Sequence, residues 1–412
     1  MKNLKKPHLG FELLHKIFVA ANIRRWNDQA TPVEFLELDK QAHKIVIAYL
    51  LAHYEMLENQ RTINFERLIL QFCYEFFERI ILTDIKPPVF HKLVQQHNKA
   101  LVDFVCEQLG EDLRGFGFLE SMREYLYGGV DNLEKEILKA SHYYASKWEF
   151  DIIYQFNPRL YDVQNIKNAL DKQVREYYHL AGMRQIIMYD ELREVVNMFG
   201  QLRFQKRWSQ TPRVPCTSVL GHTLIVALCA YLLGYDLGFS KEMQIQHFLC
   251  GLFHDLPEIL TRDIISPIKK NVEGLDAFIK KIEEEAVREK ILNIIPDSIA
   301  EDIQYYTQNE FSNRYKKGDV VVFSQKESEE FVKEITELQK ESRKDSVEKP
   351  IFGEFLKYCD HLSAFLEAKI SIEHGIKSKE LIEGAKNLEY LYNNKQLNGV
   401  DLGYLFREFK DS

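Results

Sequence analysis

Leu192-Arg-Glu-Val-Val-Asn-Met-Phe-Gly-Gln-Leu-Arg-Phe-Gln-Lys-Arg-Trp-Ser-Gln-Thr-Pro212 reads as an amphipathic helix that runs into a stop. Leu192, Val195, Val196, Phe199 and Leu202 recur at three- and four-residue spacing, which lines one face of a helix. Pro212 closes the stretch, because a proline has no N–H for the helical ladder. The pattern also occurs earlier in the chain, as Leu14-His-Lys-Ile-Phe-Val-Ala-Ala-Asn-Ile-Arg-Arg-Trp-Asn-Asp-Gln-Ala-Thr-Pro32. Both copies end on Arg-Trp and then Thr-Pro, so an internal repeat is the first hypothesis about the fold.

Reading outward supports it. His43 follows the first Arg-Trp and His222 the second, each opening an apolar helix. Tyr74-Glu-Phe-Phe-Glu-Arg-Ile-Ile-Leu-Thr-Asp-Ile-Lys-Pro87 then parallels His254-Asp-Leu-Pro-Glu-Ile-Leu-Thr-Arg-Asp-Ile-Ile-Ser-Pro267, and Ile137-Leu-Lys-Ala-Ser-His142 parallels Phe355-Leu-Lys-Tyr-Cys-Asp360. Landmarks in the same order predict an all-α chain of two tandem helical domains, residues 1–189 and 190–412, with the boundary near Tyr189. The second domain is longer by a charged insertion near residues 314–350, expected to be a solvated excursion. Within it, Arg314-Tyr-Lys-Lys-Gly-Asp-Val-Val-Val-Phe323 predicts a small hairpin turning at Lys-Gly-Asp.

Composition narrows the function classes. The 412 residues carry 54 Lys and Arg against 62 Asp and Glu, a formal charge of −8, so no global basic field exists to hold duplex nucleic acid. The longest apolar run, Leu224 to Leu233, falls short of the roughly 20 residues a bilayer requires, and no membrane partner is expected. The segment Met1 to His8 lacks the apolar stretch of a secretory signal. Six cysteines, Cys73, Cys106, Cys216, Cys229, Cys250 and Cys359, are scattered without paired spacing, which fits reduced thiols and a cytoplasmic location.

The chemistry is concentrated in the second half. On a helix His254 and Asp255 project about 100° apart, so one ion over that end can touch both. Glu258 lies four residues on, back on nearly the same face, and Pro257 should kink or end the helix. His222, His254, Asp255 and Asp360 together offer two nitrogen and two oxygen ligands, a set suited to Mn²⁺, Co²⁺, Fe²⁺ or Ni²⁺ more than to a thiolate-bound structural zinc. Attack of metal-bound water on a phosphate ester is the natural reaction of such a centre.

At Arg207-Trp208, Gly221-His222, His254-Asp-Leu-Pro-Glu258, Thr261-Arg-Asp263, Ser266-Pro-Ile-Lys269 and Asp360 the sequence resembles the HD-superfamily metal-dependent phosphohydrolases, in their 5′-deoxynucleotidase-like branch. The resemblance implies two HD-type domains, the second intact. It implies that His222, His254, Asp255 and Asp360 bind a divalent Mn, Co, Fe, Ni or Zn ion, that Glu258 is the catalytic carboxylate and that Arg207 orients the phosphate. It places Trp208 against the sugar, and Asp263, Ile264, Ile265 and Ser266 along the nucleoside. The substrate expected is a small phosphomonoester, above all a (deoxy)nucleoside 5′-monophosphate. Gly221 stands where the family often has Glu, and the stretch after Asp263 lacks one of the family's prolines. Bland readings run alongside: Trp208 as a hydrophobic closure of its turn, Asp263 as a helix cap.

In the first half His43 remains, but Tyr74-Glu75 and His142 replace the other ligands, and a phenol with a pKa near 10 is a poor ligand. That half is expected to be degenerate and metal-free, with ligand sensing through Arg25, Trp26, Glu78 and Asp84 as the minority alternative. For the whole chain the alternative to an enzyme is a nucleotide-binding regulatory or scaffold protein. A homo-oligomer and an intrachain pseudo-dimer are both open expectations.

Overall fold

The computed structural model describes residues 4–83, 85, 87–208, 210–261, 274–340 and 347–410. Helices dominate these residues, as the apolar spacing requires, and the chain divides into two compact units that interleave in sequence. Unit N comprises residues 16–205 and 285–301; unit C comprises residues 1–15, 206–284 and 302–412.

Unit N is built on α1 (Glu37–Glu58), α2 (Phe65–Leu82), α3 (Leu133–Phe156) and α4 (Asp190–Gln201). An antiparallel ribbon of β1 (Arg24–Arg25) and β2 (Phe35–Leu36) leads directly into α1 and holds Arg25 at its start. Asn64 and Asn132 cap α2 and α3, their side-chain oxygens accepting the N–H groups of Arg67 and Lys135 at 2.9 Å each. Helix α4, on the C-terminal side of the boundary read at Tyr189, packs within unit N: Val196 O lies 3.0 Å from the His43 ring nitrogen Nε2.

Unit C centres on α5 (Val219–Asp236) and α6 (Lys241–Phe253), followed by the single turn α7 (Glu258–Thr261). Helix α5 is apolar on all sides, the pattern of a helix surrounded by protein. It is the one described helix long and apolar enough to cross a membrane, yet 94% of it is buried inside the unit, so it is the core helix. Ser218 caps it by accepting the Gly221 N–H at 2.9 Å. Gly251 sets the approach of α6: a Cβ there would lie 2.9 Å from Ala227 Cα, so only glycine lets the two backbones come this close. That contact delivers the end of α6, and His254 with it, beside His222.

The described residues of the charged insertion, 314–340 and 347–351, are folded rather than a solvated excursion. β3 (Arg314–Lys317) pairs antiparallel with β4 (Val320–Phe323) and with β5 (Val347–Ile351), in the order β4-β3-β5. The expected hairpin turns at Gly318, whose φ of +56° favours glycine. Between the strands, α8 (Ser328–Lys340) buries Phe331, Val332 and Ile335. Its charges occupy the outer face, and their number masked the apolar stripe. Helices α9 (Gly353–Glu373) and α10 (Lys379–Tyr392) pack on each other, and α9 lies against α5 and α6. All six cysteines are free, and only Cys216 is exposed.

Candidate functional site

Three of the four expected ligands come together in unit C. His222 from α5 and His254 and Asp255 from the end of α6 present ligand atoms that all lie within 4.8 Å of one another, the only such group among the described residues. Asp360 on α9 joins from the side, its Oδ1 2.9 Å from His222 Nε2. The two imidazole rings are 5.6 Å apart between centroids, and Asp255 spans them, 3.7 Å from His222 Nε2 and 3.3 Å from His254 Nε2.

Hydrogen bonding fixes what each ring offers. His254 Nδ1 donates to Gly251 O at 2.8 Å, so Nε2 is the ring nitrogen left to act as a ligand. That Nε2 is buried and receives no hydrogen bond, a state that costs about 1–3 kcal/mol unless something else fills it. His222 is fully buried, with Ser363 Oγ 3.0 Å from its Nδ1. Burial and the Arg207 charge oppose its protonation, but the bonds to Asp360 and Glu367 outweigh them and raise its pKa. Burial likewise opposes the charge of Asp360, yet His222, Arg207 and His254 hold its carboxyl well below the usual range. The donor set of two imidazoles and two carboxylates, with one ring nitrogen left to act as a ligand, therefore fits a divalent ion, which can take the role of the proton shared by His222 and Asp360.

Arg207 lies over the same carboxylates, Nη1 3.2 Å from Asp255 and Nη2 3.9 Å from Asp360. Burial would discharge it, but Glu367, Asp255, Asp360 and Glu258 reverse that and push its pKa further up. Glu258 opens α7, half-buried and within electrostatic reach of Arg207. Trp208 adopts a left-handed backbone, φ +52°, and a Cβ at Gly384 of α10 would sit 3.4 Å from its indole. Asp263, Ile264, Ile265 and Ser266 lie outside the described residues, as does Asp84 in the first half.

The sequence reading missed the support beneath this cluster. Glu367, two turns after Asp360 on α9 and fully buried, accepts from Thr217 Oγ1 at 2.8 Å and pairs with Arg213 Nη1 at 3.1 Å. It also faces Arg207 Nε at 3.8 Å and His222 Nδ1 at 3.7 Å, tying the arginine to the histidine. Burial raises its pKa, but Arg213 and the His222 bond bring it down to about 2. The repeat held the clue: a glutamate stands seven residues after His142 as well, at Glu149.

In unit N the corresponding positions are occupied differently. Arg25 binds Glu149 at 2.7 Å and Glu37 at 2.8 Å, and Trp26, again left-handed with φ +57°, donates to Glu149 at 2.9 Å. His43 has no nitrogen to spare: Nε2 meets Val196 O at 3.0 Å and Nδ1 meets Arg203 Nη2 at 3.3 Å. Burial, with the Arg203 charge, pushes its pKa down to about 3. The Tyr74 hydroxyl bonds Ser121 at 2.6 Å, while Glu75 pairs with Lys44 and accepts from the Tyr125 hydroxyl at 2.6 Å. His142 Nδ1 lies 2.6 Å from Lys40 Nζ. Two lysines thus stand among the residues that replace the ligands.

Comparison with known proteins gives a consistent picture. Residues 199–389 match a family model described as an HD domain. A 5′-deoxynucleotidase of Vibrio atlanticus is 25% identical over 124 residues, 29% of this chain and 63% of the relative. A 5′-deoxynucleotidase of Photobacterium profundum is 31% identical over 135 residues, 31% of this chain and 66% of the relative. One from Shewanella oneidensis is 31% identical over 107 residues, 25% of this chain and 54% of the relative. The chain therefore spans less than two thirds of the length of these relatives. No solved structure matches.

Proposed function

We propose, from the premise that this chain belongs to the HD superfamily through its domain at residues 199–389, that unit C is a divalent-metal-dependent phosphohydrolase releasing phosphate from (deoxy)nucleoside 5′-monophosphates. The observation that carries this reading is the buried His254 Nε2, left without a hydrogen bond and surrounded by His222, Asp255 and Asp360. These four residues would hold the ion. A divalent cation bound there supplies a Lewis acid that acidifies water and offsets phosphoryl charge.

The remaining steps belong to the protein's own side chains. Arg207 is pinned by Asp255 and Glu367 and cannot lose its proton, so it presents a fixed charge to the phosphoryl oxygens as negative charge develops on them. Glu258 accepts the proton released by the attacking water and returns it to the departing sugar oxygen. Trp208, beside Gly384, narrows the space for the sugar and favours the smaller deoxyribose. The names of the relatives support the deoxynucleotide class.

The test is phosphate release by full-length protein loaded with Mn²⁺ or Co²⁺, run against matched deoxy- and ribonucleoside 5′-monophosphates. Turnover should favour the deoxy series, and Glu258→Gln should slow it by about 10²–10⁴-fold while leaving the ion bound. An ion-loaded protein that binds nucleotides yet releases no phosphate would support the regulatory alternative.

A further inference from the structure

Lys40 and Lys44 lie one helical turn apart on α1, flanking His43, and both are almost completely buried. A buried ammonium is costly unless it is paired. Lys44 is paired with Glu75. Lys40 forms no salt bridge with a carboxylate among the described residues; its hydrogen-bond partner is the ring of His142, at 2.6 Å. The nearby carboxylates are already shared. Glu37 serves Arg25 at 2.8 Å, Arg79 at 3.3 Å and Gln41 at 2.6 Å, and Glu149 serves Arg25, Trp26 and Arg203.

Two basic groups therefore meet at Lys40 and His142, with no carboxylate among the described residues paired to Lys40. Packing around the inner edge of the His142 ring, and after it the charges of Lys40, Lys44 and Arg25, disfavour a proton there, while Glu37 favours one. The cluster opens to solvent on one side, where His142 is exposed and Arg79 half-buried. An entering oxyanion would let Lys40 stay charged, give His142 a reason to protonate and accept hydrogen bonds from both.

We propose that unit N contains a metal-independent binding site for a phosphate group, in which Lys40 and His142 are the direct donors and Arg25 and Arg79 supply the surrounding charge. Lysine ammonium groups here take the part that a divalent ion takes in the proposed centre of unit C. The ligand is either inorganic phosphate or the 5′-phosphate of a nucleotide. The inference rests on the geometry of unit N alone and does not depend on unit C being active.

Calorimetric titration of full-length protein stripped with chelator tests it, with inorganic phosphate and dAMP as the two probes. One equivalent of phosphate or dAMP should bind without metal. Lys40→Met and His142→Gln should each weaken binding at least tenfold, and Arg159→Ala, an exposed position outside the cluster, should leave it unchanged. Tighter binding of dAMP than of phosphate assigns the site to a nucleotide; equal affinity assigns it to the free ion. His142→Gln alters an exposed side chain and reports on the site even if Lys40→Met fails to fold. The proposal is overturned if the stripped wild type binds neither probe, or if binding survives both unit N variants.

Discussion

Replacing Glu367 with glutamine keeps the shape of a fully buried side chain and removes its charge. The carboxylate titrates at about 2, against an ordinary value of 4.5, because Arg213, His222 and Arg207 overcome the opposing effect of burial. A depression of that size corresponds to roughly 3 kcal/mol favouring the folded ionised form, at about 1.4 kcal/mol per pH unit. Removing one partner of a buried ion pair costs about 3–5 kcal/mol by mutational experience, so the two routes agree. The sign follows from linkage: a depressed carboxyl pKa stabilises unit C above pH 4.5, and that contribution is lost as the pH falls toward 2. In a unit of this size, E367Q should lower the thermal midpoint by roughly 6–12 °C at neutral pH. Calorimetry of the full-length protein reads this directly. Phosphate release should fall as well, because Arg207 loses the carboxylate opposite its Nε. The double variant E367M/R213M, which leaves no unpaired buried charge, should recover most of the stability. A midpoint unchanged within a degree, or a double variant no better than the single, would refute the reasoning.

Other consequences follow from the packing and from unit N. Gly251→Ala places a methyl 2.9 Å from Ala227 Cα, so it should destabilise unit C by about 1–3 kcal/mol and weaken metal uptake by moving His254; Ala227→Gly in the same background should restore part of both, read by urea midpoints and metal titration. His43 is held neutral, with a pKa of about 3 against 6.5 in the unfolded chain, which therefore binds the extra proton between those values. Unit N should lose stability as the pH falls from 6.5 toward 3, by up to about 1.4 kcal/mol per unit from this group; His43→Gln should flatten that slope in melts between pH 7 and 5.

The helical character of the chain was legible because apolar spacing directly reflects which faces are buried, and α5 shows why: an almost wholly apolar stretch became the core helix of unit C. The grouping of His222, His254 and Asp255 was legible through the short landmarks around them, although His222 lies 32 residues before His254 and the close packing of α5 on α6, tightest at Gly251 and Ala227, brings them together. Glu367 was not, since a lone glutamate on an apolar helix gives no local signal; comparison with Glu149 would have revealed it. Lys40 and Lys44 were overlooked for a related reason. Lysines are mostly exposed, and here they sit three residues before and one after His43, on a helix whose surroundings bury them. The fold of the described residues in the charged insertion was hidden by charge density, because Phe331 and Ile335 are buried on a helix that packs against β5, a strand that follows it in sequence.

Metal content per chain of the purified full-length protein, measured by mass spectrometry alongside His254→Ala, Asp255→Ala and Asp360→Ala, tests the proposed centre most directly. One equivalent of a divalent transition metal in the wild type, lost or sharply reduced in each variant and absent after chelation, is the result predicted. Two equivalents per chain, or one that persists through all three substitutions, would contradict it.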